Sequence, residues 1–192
     1  MRLQLSKSGF NSFFLNKAAL PSLRMTERQK FDLVKKIPKT KVEIRRYHPC
    51  VMADVLVEAP YSQAANLGFR PLVTYISQNN IAMTAPVLQE STDTRSWIVS
   101  FVMPAGMTLK DLPTPRNSKV TLRTIPEQLS AALPFSGITT TTKIREKESE
   151  LRAALAKENL TAIGTLRIAR FDPPWKPGFM RYNEVILDLE NK

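Results

Sequence analysis

The run VEIRRYHPCVMADVLV, residues 42–57, alternates apolar and other side chains on both sides of a proline. Val42 and Ile44 precede Pro49, and Val51, Ala53, Val55 and Val57 follow it, with the two-residue period of a strand that buries one face. Proline has no N–H to give to a ladder, so the run is either two short strands or one bent strand. Downstream, Pro60 closes the run and Ser62 precedes Ala65, Phe69, Leu72, Val73 and Ile76, whose spacing is one face of a helix. Pro71 inside that face predicts either a kink or a late start with Pro71 in the first turn. Residues 81–88 and the run Trp97 to Met103 read as strands, and 104–119, with Pro104, Gly106, Pro113 and Pro115, reads as a loop.

Beyond the loop the same order returns. Val120, Leu122, Leu129, Ala131, Leu133 and Phe135 have strand periodicity, Gly137 and four threonines make a turn, and 144–159 is a second helix. Ile144, Leu151, Ala154 and Leu155 share one side of it, and Glu148 and Arg152 are placed for an i,i+4 pair. Strands over 165–169 and 184–189 flank the loop DPPWKPG. The 78 residues from Val42 to Val120 also pair Ile44 with Leu122, Arg45 with Arg123, Val51 with Leu129 and Ala53 with Ala131. The expected architecture is α+β: a distorted antiparallel barrel of about eight strands, built from two repeats (42–104 and 120–189), with both helices outside.

Composition limits what this fold can be used for. The chain of 192 residues, 43% hydrophobic, suffices for one domain over 25–192, and charged residues or prolines break every run long enough to span a membrane. A single cysteine, Cys50, excludes an internal disulfide and a zinc knuckle. The net charge of +11 is spread: residues 1–24 hold Arg2, Lys7, Lys17 and Arg24 without an acid, and the rest sets 24 basic against 17 acidic residues. Scattered charge without interleaved aromatics argues against a nucleic-acid partner. Residues 1–24 have the composition of a transit peptide, or are a tail ahead of a start at Met25; the location is cytoplasmic, or mitochondrial or plastid if that segment is a leader.

Side-chain catalysis is poorly supplied. His48 is the only histidine, and there is no GxSxG elbow, no GxxxxGK[ST] and no GxGxxG. His48 and Cys50 would share a strand face and offer an iron ligand, with Met52, Met83, Met103 and Met180 as further ligands; alternatively His48 marks the bend and the thiol packs.

Several segments together resemble the SOUL haem-binding family: VEIRRYHPCVMADV (42–55), YISQNNIAMTAPV (75–87), WIVSFVMP (97–104), LPTP (112–115) and FDPPWKPGFMRYNEVIL (171–187). The resemblance implies a duplicated barrel with two helices that binds haem or another tetrapyrrole reversibly, as carrier, buffer or sensor. It implies a groove between helix positions Phe69, Leu72, Val73 and Ile76 and loop positions Phe171, Pro173, Pro174, Trp175 and Phe179, with no obligatory iron ligand. The family commonly carries a lysine ahead of its MTAP run and RRNEV where this chain has RYNEV, which leaves Arg70 and Arg181 as the candidates for the propionates. An enzyme that removes the metal or opens the ring, using Glu184 or Asp172 as acid, and a domain whose groove takes a partner helix or other amphiphile, are the alternatives.

Overall fold

The computed structural model describes residues 26–190 apart from Pro174, so the expected leader or tail over 1–24 lies outside the described residues. In chain order the elements are β1 (Glu27–Arg28), β2 (Phe31–Lys36), β3 (Glu43–Tyr47), β4 (Cys50–Glu58), α1 (Tyr61–Gln78), β5 (Thr84–Ala85), β6 (Val87–Ser91), β7 (Ser96–Val102), β8 (Val120–Ile125), β9 (Gln128–Ser136), α2 (Thr141–Lys157), β10 (Ala162–Arg170) and β11 (Tyr182–Leu189). Nine strands form one antiparallel sheet in the order β2-β3-β9-β11-β10-β6-β7-β4-β8, while β1 and β5 make a separate parallel pair.

Residues 43–58 behave as one strand bent at Pro49. Tyr47 faces Gln128 and Cys50 faces Ile125, three residues on along one chain and three back along the other, so the register passes through the bend unchanged. The partner strand bends opposite, at Pro126, between β8 and β9. Because β3 pairs near one end of the strand order and β4 near the other, this bent pair joins the two ends and closes the sheet into a distorted barrel. The two nine-residue strands β4 and β9 begin 78 residues apart, and each is followed by a helix.

The two-residue period then sorts the side chains. Val51, Ala53, Val55 and Val57 pack beneath α1; Ala131, Leu133 and Phe135 of β9 and Val185, Leu187 and Leu189 of β11 pack beneath α2. Their neighbours Met52, Ala132, Ala169 and Ile186 point the other way and fill the lumen with Tyr47, Leu88 and Val102. Both helices therefore lie outside, over a lumen that is packed with side chains.

The first helix begins ten residues before Pro71, so the late-start reading is corrected; the proline lies in the helix interior. Its buried stripe is Ala64, Gly68, Leu72, Tyr75 and Ile76, with Phe69 and Val73 flanking it. Small residues set this geometry: a Cβ at Gly68 would lie 2.5 Å from the Val99 Cβ, so α1 rests almost backbone-first on β7. In α2 the buried residues are Ile144, Leu151, Ala154 and Leu155, Thr140 Oγ1 accepts from the Lys143 N–H (3.2 Å), and Arg152 pairs with Glu148 at 2.8 Å. Two strands escaped the sequence pattern, β1 because it is two residues long and β2 because its side chains are exposed on both faces.

Candidate functional site

The loop between β10 and β11 is pinned at its neck. Phe171 N–H donates to the Tyr182 carbonyl (3.3 Å), and Asp172 Oδ2 accepts from the Tyr182 N–H (2.6 Å) and from Lys176 Nζ (2.8 Å). Burial pushes the Asp172 carboxyl up, but these hydrogen bonds and the charges of Lys176 and Arg28 outweigh it and hold it below its ordinary value. A 3-10 turn, Gly178–Met180, forms the tip, and a Cβ on Gly178 would meet the Ile138 side chain at 2.7 Å, so the tip rests on the residues leading into α2. Trp175 is 83% exposed and Phe179 77%, with Met180 and Ile138 also exposed. Four large apolar side chains are thus exposed on and beside one pinned loop. Phe171 turns away from it, packs at the end of the lumen edge-on to Tyr182 (5.1 Å between ring centres) and lies under the Arg28 guanidinium. Pro173 is half-buried, and Pro174 lies outside the described residues.

The helix positions face the sheet. Leu72 and Ile76 are buried among Val99 and Phe101, Phe69 meets Phe101 edge-on at 5.2 Å, and Val73 packs on the same cluster. No described contact joins these four to Trp175 or Phe179. The loop instead approaches the first residue of α1: Tyr61 Oη donates to the Thr139 carbonyl (2.8 Å), one residue from Ile138, and accepts from Arg170 Nη2 (3.0 Å).

The candidate charged groups are distributed differently. Arg70 is exposed on α1, whereas Arg181 Nε donates to the Lys176 carbonyl (2.9 Å) and so braces the loop. His48 is exposed with Nε2 3.0 Å from Asp32 Oδ2. With Cys50 it lines a cavity of about 110 Å³ at the barrel end, which also touches Arg28, Lys30 and Thr84. That is far below the roughly 300–1,000 Å³ of sites for drug-sized ligands. Burial raises the Cys50 thiol above its ordinary value. Met52 and Met103 are core residues, and among the described residues no three His, Cys, Asp or Glu side chains gather as a metal site.

Neither carboxylate named as an acid is spare. Asp172 is the clamp just described, and Glu184, 2% exposed, receives Arg45 through both oxygens (2.7 and 2.8 Å) and the Tyr182 hydroxyl (2.5 Å). Burial alone would depress the Arg45 guanidinium, but Glu184 and Tyr47 hold it charged and raise its pKa. Burial pushes the Tyr47 phenol up to about 12.

A second cluster, which the sequence did not reveal, lies between the starts of the two helices. Val87 faces Arg170 and Gln89 faces Ile168 across one ladder; Gln89 faces Val99 and Ser91 faces Trp97 across the other. Gln89 therefore lies between Arg170 and Trp97, which are on opposite diagonals of it on the helix-bearing face. Tyr61 covers them, 5.3 Å from the Trp97 ring centre and 5.7 Å from the Arg170 guanidinium carbon. Arg170 Nη1, Trp97 Nε1 and both amide atoms of Gln89 are buried without a hydrogen-bond partner among the described residues. Only Gln89, a polar residue at a helix-facing position of an apolar strand, left a trace of this in the sequence.

Among the described residues no helix is long and apolar enough to cross a membrane. The family model described as SOUL heme-binding protein matches residues 26–188, and no curated protein sequence matches the chain. Among solved structures, the EcmrR C-terminal domain superposes with a TM-score of 0.64 at 13% identity, over 80% of this chain and 99% of that one. A hydrolase from Listeria innocua gives 0.56 at 16% identity, over 80% and 93%. SAV2435 bound to tetraphenylphosphonium gives 0.51 at 7% identity, over 79% and 95%. At these identities the likeness is one of fold, whereas the family model runs from β1 into β11, and on that match the chain belongs to the SOUL heme-binding protein family.

Proposed function

We propose that this protein binds haem or a related tetrapyrrole reversibly, as a carrier, buffer or sensor. The macrocycle lies against Trp175 and Phe179 where α1 begins, with Tyr61 as the second wall, and Phe69, Leu72, Val73 and Ile76, packed on the sheet, hold α1 in place behind it. The observation that carries this reading is the exposed Trp175, Phe179 and Met180 on a loop whose neck is pinned, in a chain of this family. The residues fit the group: the tip offers apolar area, and Arg170, one residue before Phe171, offers unpaired N–H to an acidic edge. Burial of apolar surface is worth about 25 cal/mol per Å². Association costs about 4–15 kcal/mol, so capture without an iron ligand is weak and easily reversed, as a carrier or sensor requires.

Titrating the protein with hemin is expected to quench tryptophan emission and saturate near one equivalent, and Trp175→Phe should weaken the binding that the quenching of the remaining Trp97 reports. Absence of saturable quenching in the wild type overturns the reading. His48→Ala should leave the Soret band of the complex where it was, because that imidazole is held by Asp32 on β2; a moved band would establish iron coordination by His48.

A further inference from the structure

We propose that Arg170, Trp97 and Gln89 form a recognition site for an organic carboxylate, lying beneath Tyr61 between the N-termini of α1 and α2. Arg170 is the centre of it. Its Nε reaches Thr139 Oγ1 at 3.3 Å and its Nη2 reaches Tyr61 Oη at 3.0 Å, both neutral groups, and Nη1 is buried with no acceptor. A buried guanidinium without a carboxylate is costly, and proteins normally supply the missing anion from a side chain. Among the described residues none is supplied: neither helix has an acidic residue in its first turn, and the α1 N-cap, Pro60, makes no side-chain hydrogen bond. Both helices also present the positive ends of their dipoles to this place.

Gln89 is the independent observation. It is 0% exposed, and neither its Nε2 nor its Oε1 has a partner. One unpaired buried amide costs about 1–3 kcal/mol, so a position that keeps one is a position with a use for it. With Trp97 Nε1 and Arg170 Nη1 it offers three donors and one acceptor, and one formal positive charge. That set suits a carboxylate better than a neutral or cationic group. Tyr61, Trp97 and Arg170 are each half-buried and Ile138 beside Thr139 is exposed, so turning the Tyr61 ring aside opens the way to Nη1.

The site deepens the tetrapyrrole reading, on which it rests for the identity of its ligand: it assigns an acidic side chain of the macrocycle to Arg170 rather than to Arg70 or Arg181. Protoporphyrin IX and its dimethyl ester, titrated into wild type, Arg170→Met and Gln89→Leu, separate the two ideas. The diacid is expected to bind the wild type about ten- to a hundredfold more tightly than it binds Arg170→Met, and the ester to bind both alike. Equal binding of the diacid by wild type and Arg170→Met overturns the carboxylate site and leaves apolar capture standing. If neither porphyrin binds, 1-pyrenebutyrate against 1-pyrenebutanol gives the decision. Arg170-dependent binding of the acid alone keeps the site while the tetrapyrrole reading falls, and no binding removes both. Thermal melting guards against a structural explanation: without ligand, Gln89→Leu should melt at or above the wild-type temperature, since it removes an unpaired buried amide, and Arg170→Met, which also gives up its bonds to Thr139 and Tyr61, close to it. Melting well below wild type in both variants would mean that the groups serve the fold, and would overturn the site.

Discussion

Arg45 and Glu184 sit 139 residues apart in sequence and share both carboxylate oxygens in the lumen, Arg45 only 4% exposed. Removing one member leaves the other charged and buried, so Arg45→Met is expected to cost about 3–5 kcal/mol in urea denaturation. The double variant Arg45→Met/Glu184→Met should recover part of that loss, because the buried carboxylate goes with the guanidinium while Glu43, which also accepts from Arg45, keeps Lys36 as its partner. Alternation in the sequence placed Glu43 and Arg45 opposite Val42 and Ile44, but gave no means of telling which residue of another strand would meet them. For that reason Glu184 was a spare acid in the sequence and a saturated one in the structure. The same holds for Arg170 and Gln89. Their importance comes from partners they lack, a property that no linear pattern encodes.

At the scale of elements, α1 and the β10–β11 loop behave in opposite ways. The helix depends on close approach, and Gly68→Ala should destabilise by about 1–3 kcal/mol even though alanine is the better helix former. Its effect combined with Val99→Ala should be smaller than the sum of the two, since the second change clears the space the first one needs. Strand and helix periods identified both helices and the alternation of β4 and β9 from apolar spacing, and the prolines marked the loop DPPWKPG. They left the start of α1 open because of Pro71, which lies in the helix interior, and counting large apolar residues overlooked Ala64 and Gly68 in the buried stripe. The loop depends on one carboxylate. Asp172 has its pKa held low in the folded protein, so its clamp is complete above the ordinary carboxylate range and is lost as pH falls through the lowered value. Trp175 emission is expected to change over that acid range in the wild type and to be flat there in Asp172→Asn, which lacks the titrating group.

Across the molecule, the packed lumen and the exposed tip divide the labour. Tyr47, Met52, Leu88, Val102 and Ile186 fill the barrel, so a macrocycle has to be met from outside, at the end where both helices begin. Hydrogen exchange with and without hemin should therefore leave β4 and β9 unchanged and slow the amides of 172–181 and the first turn of α1. Protection gained in the barrel strands instead would place the ligand elsewhere. Similar folds with a TM-score above 0.5 occur at 7–16% identity, so the architecture itself tolerates very different surfaces.

The paired bends at Pro49 and Pro126 carry a consequence for how such a chain changes length over time. One extra residue between Tyr47 and Cys50 would exchange the lumen and helix sides of β4, turning Met52 outward and Val51 inward, unless the chain absorbed it as a bulge. A matching extra residue between Ile125 and Gln128 would restore the pairing of β4 with β8 but not the sides, which return only when two residues are added at each corner. Insertions at these two corners are therefore tolerated as matched pairs of two residues and penalised otherwise, which makes them hinges of inheritance: both lengths drift together and by even steps.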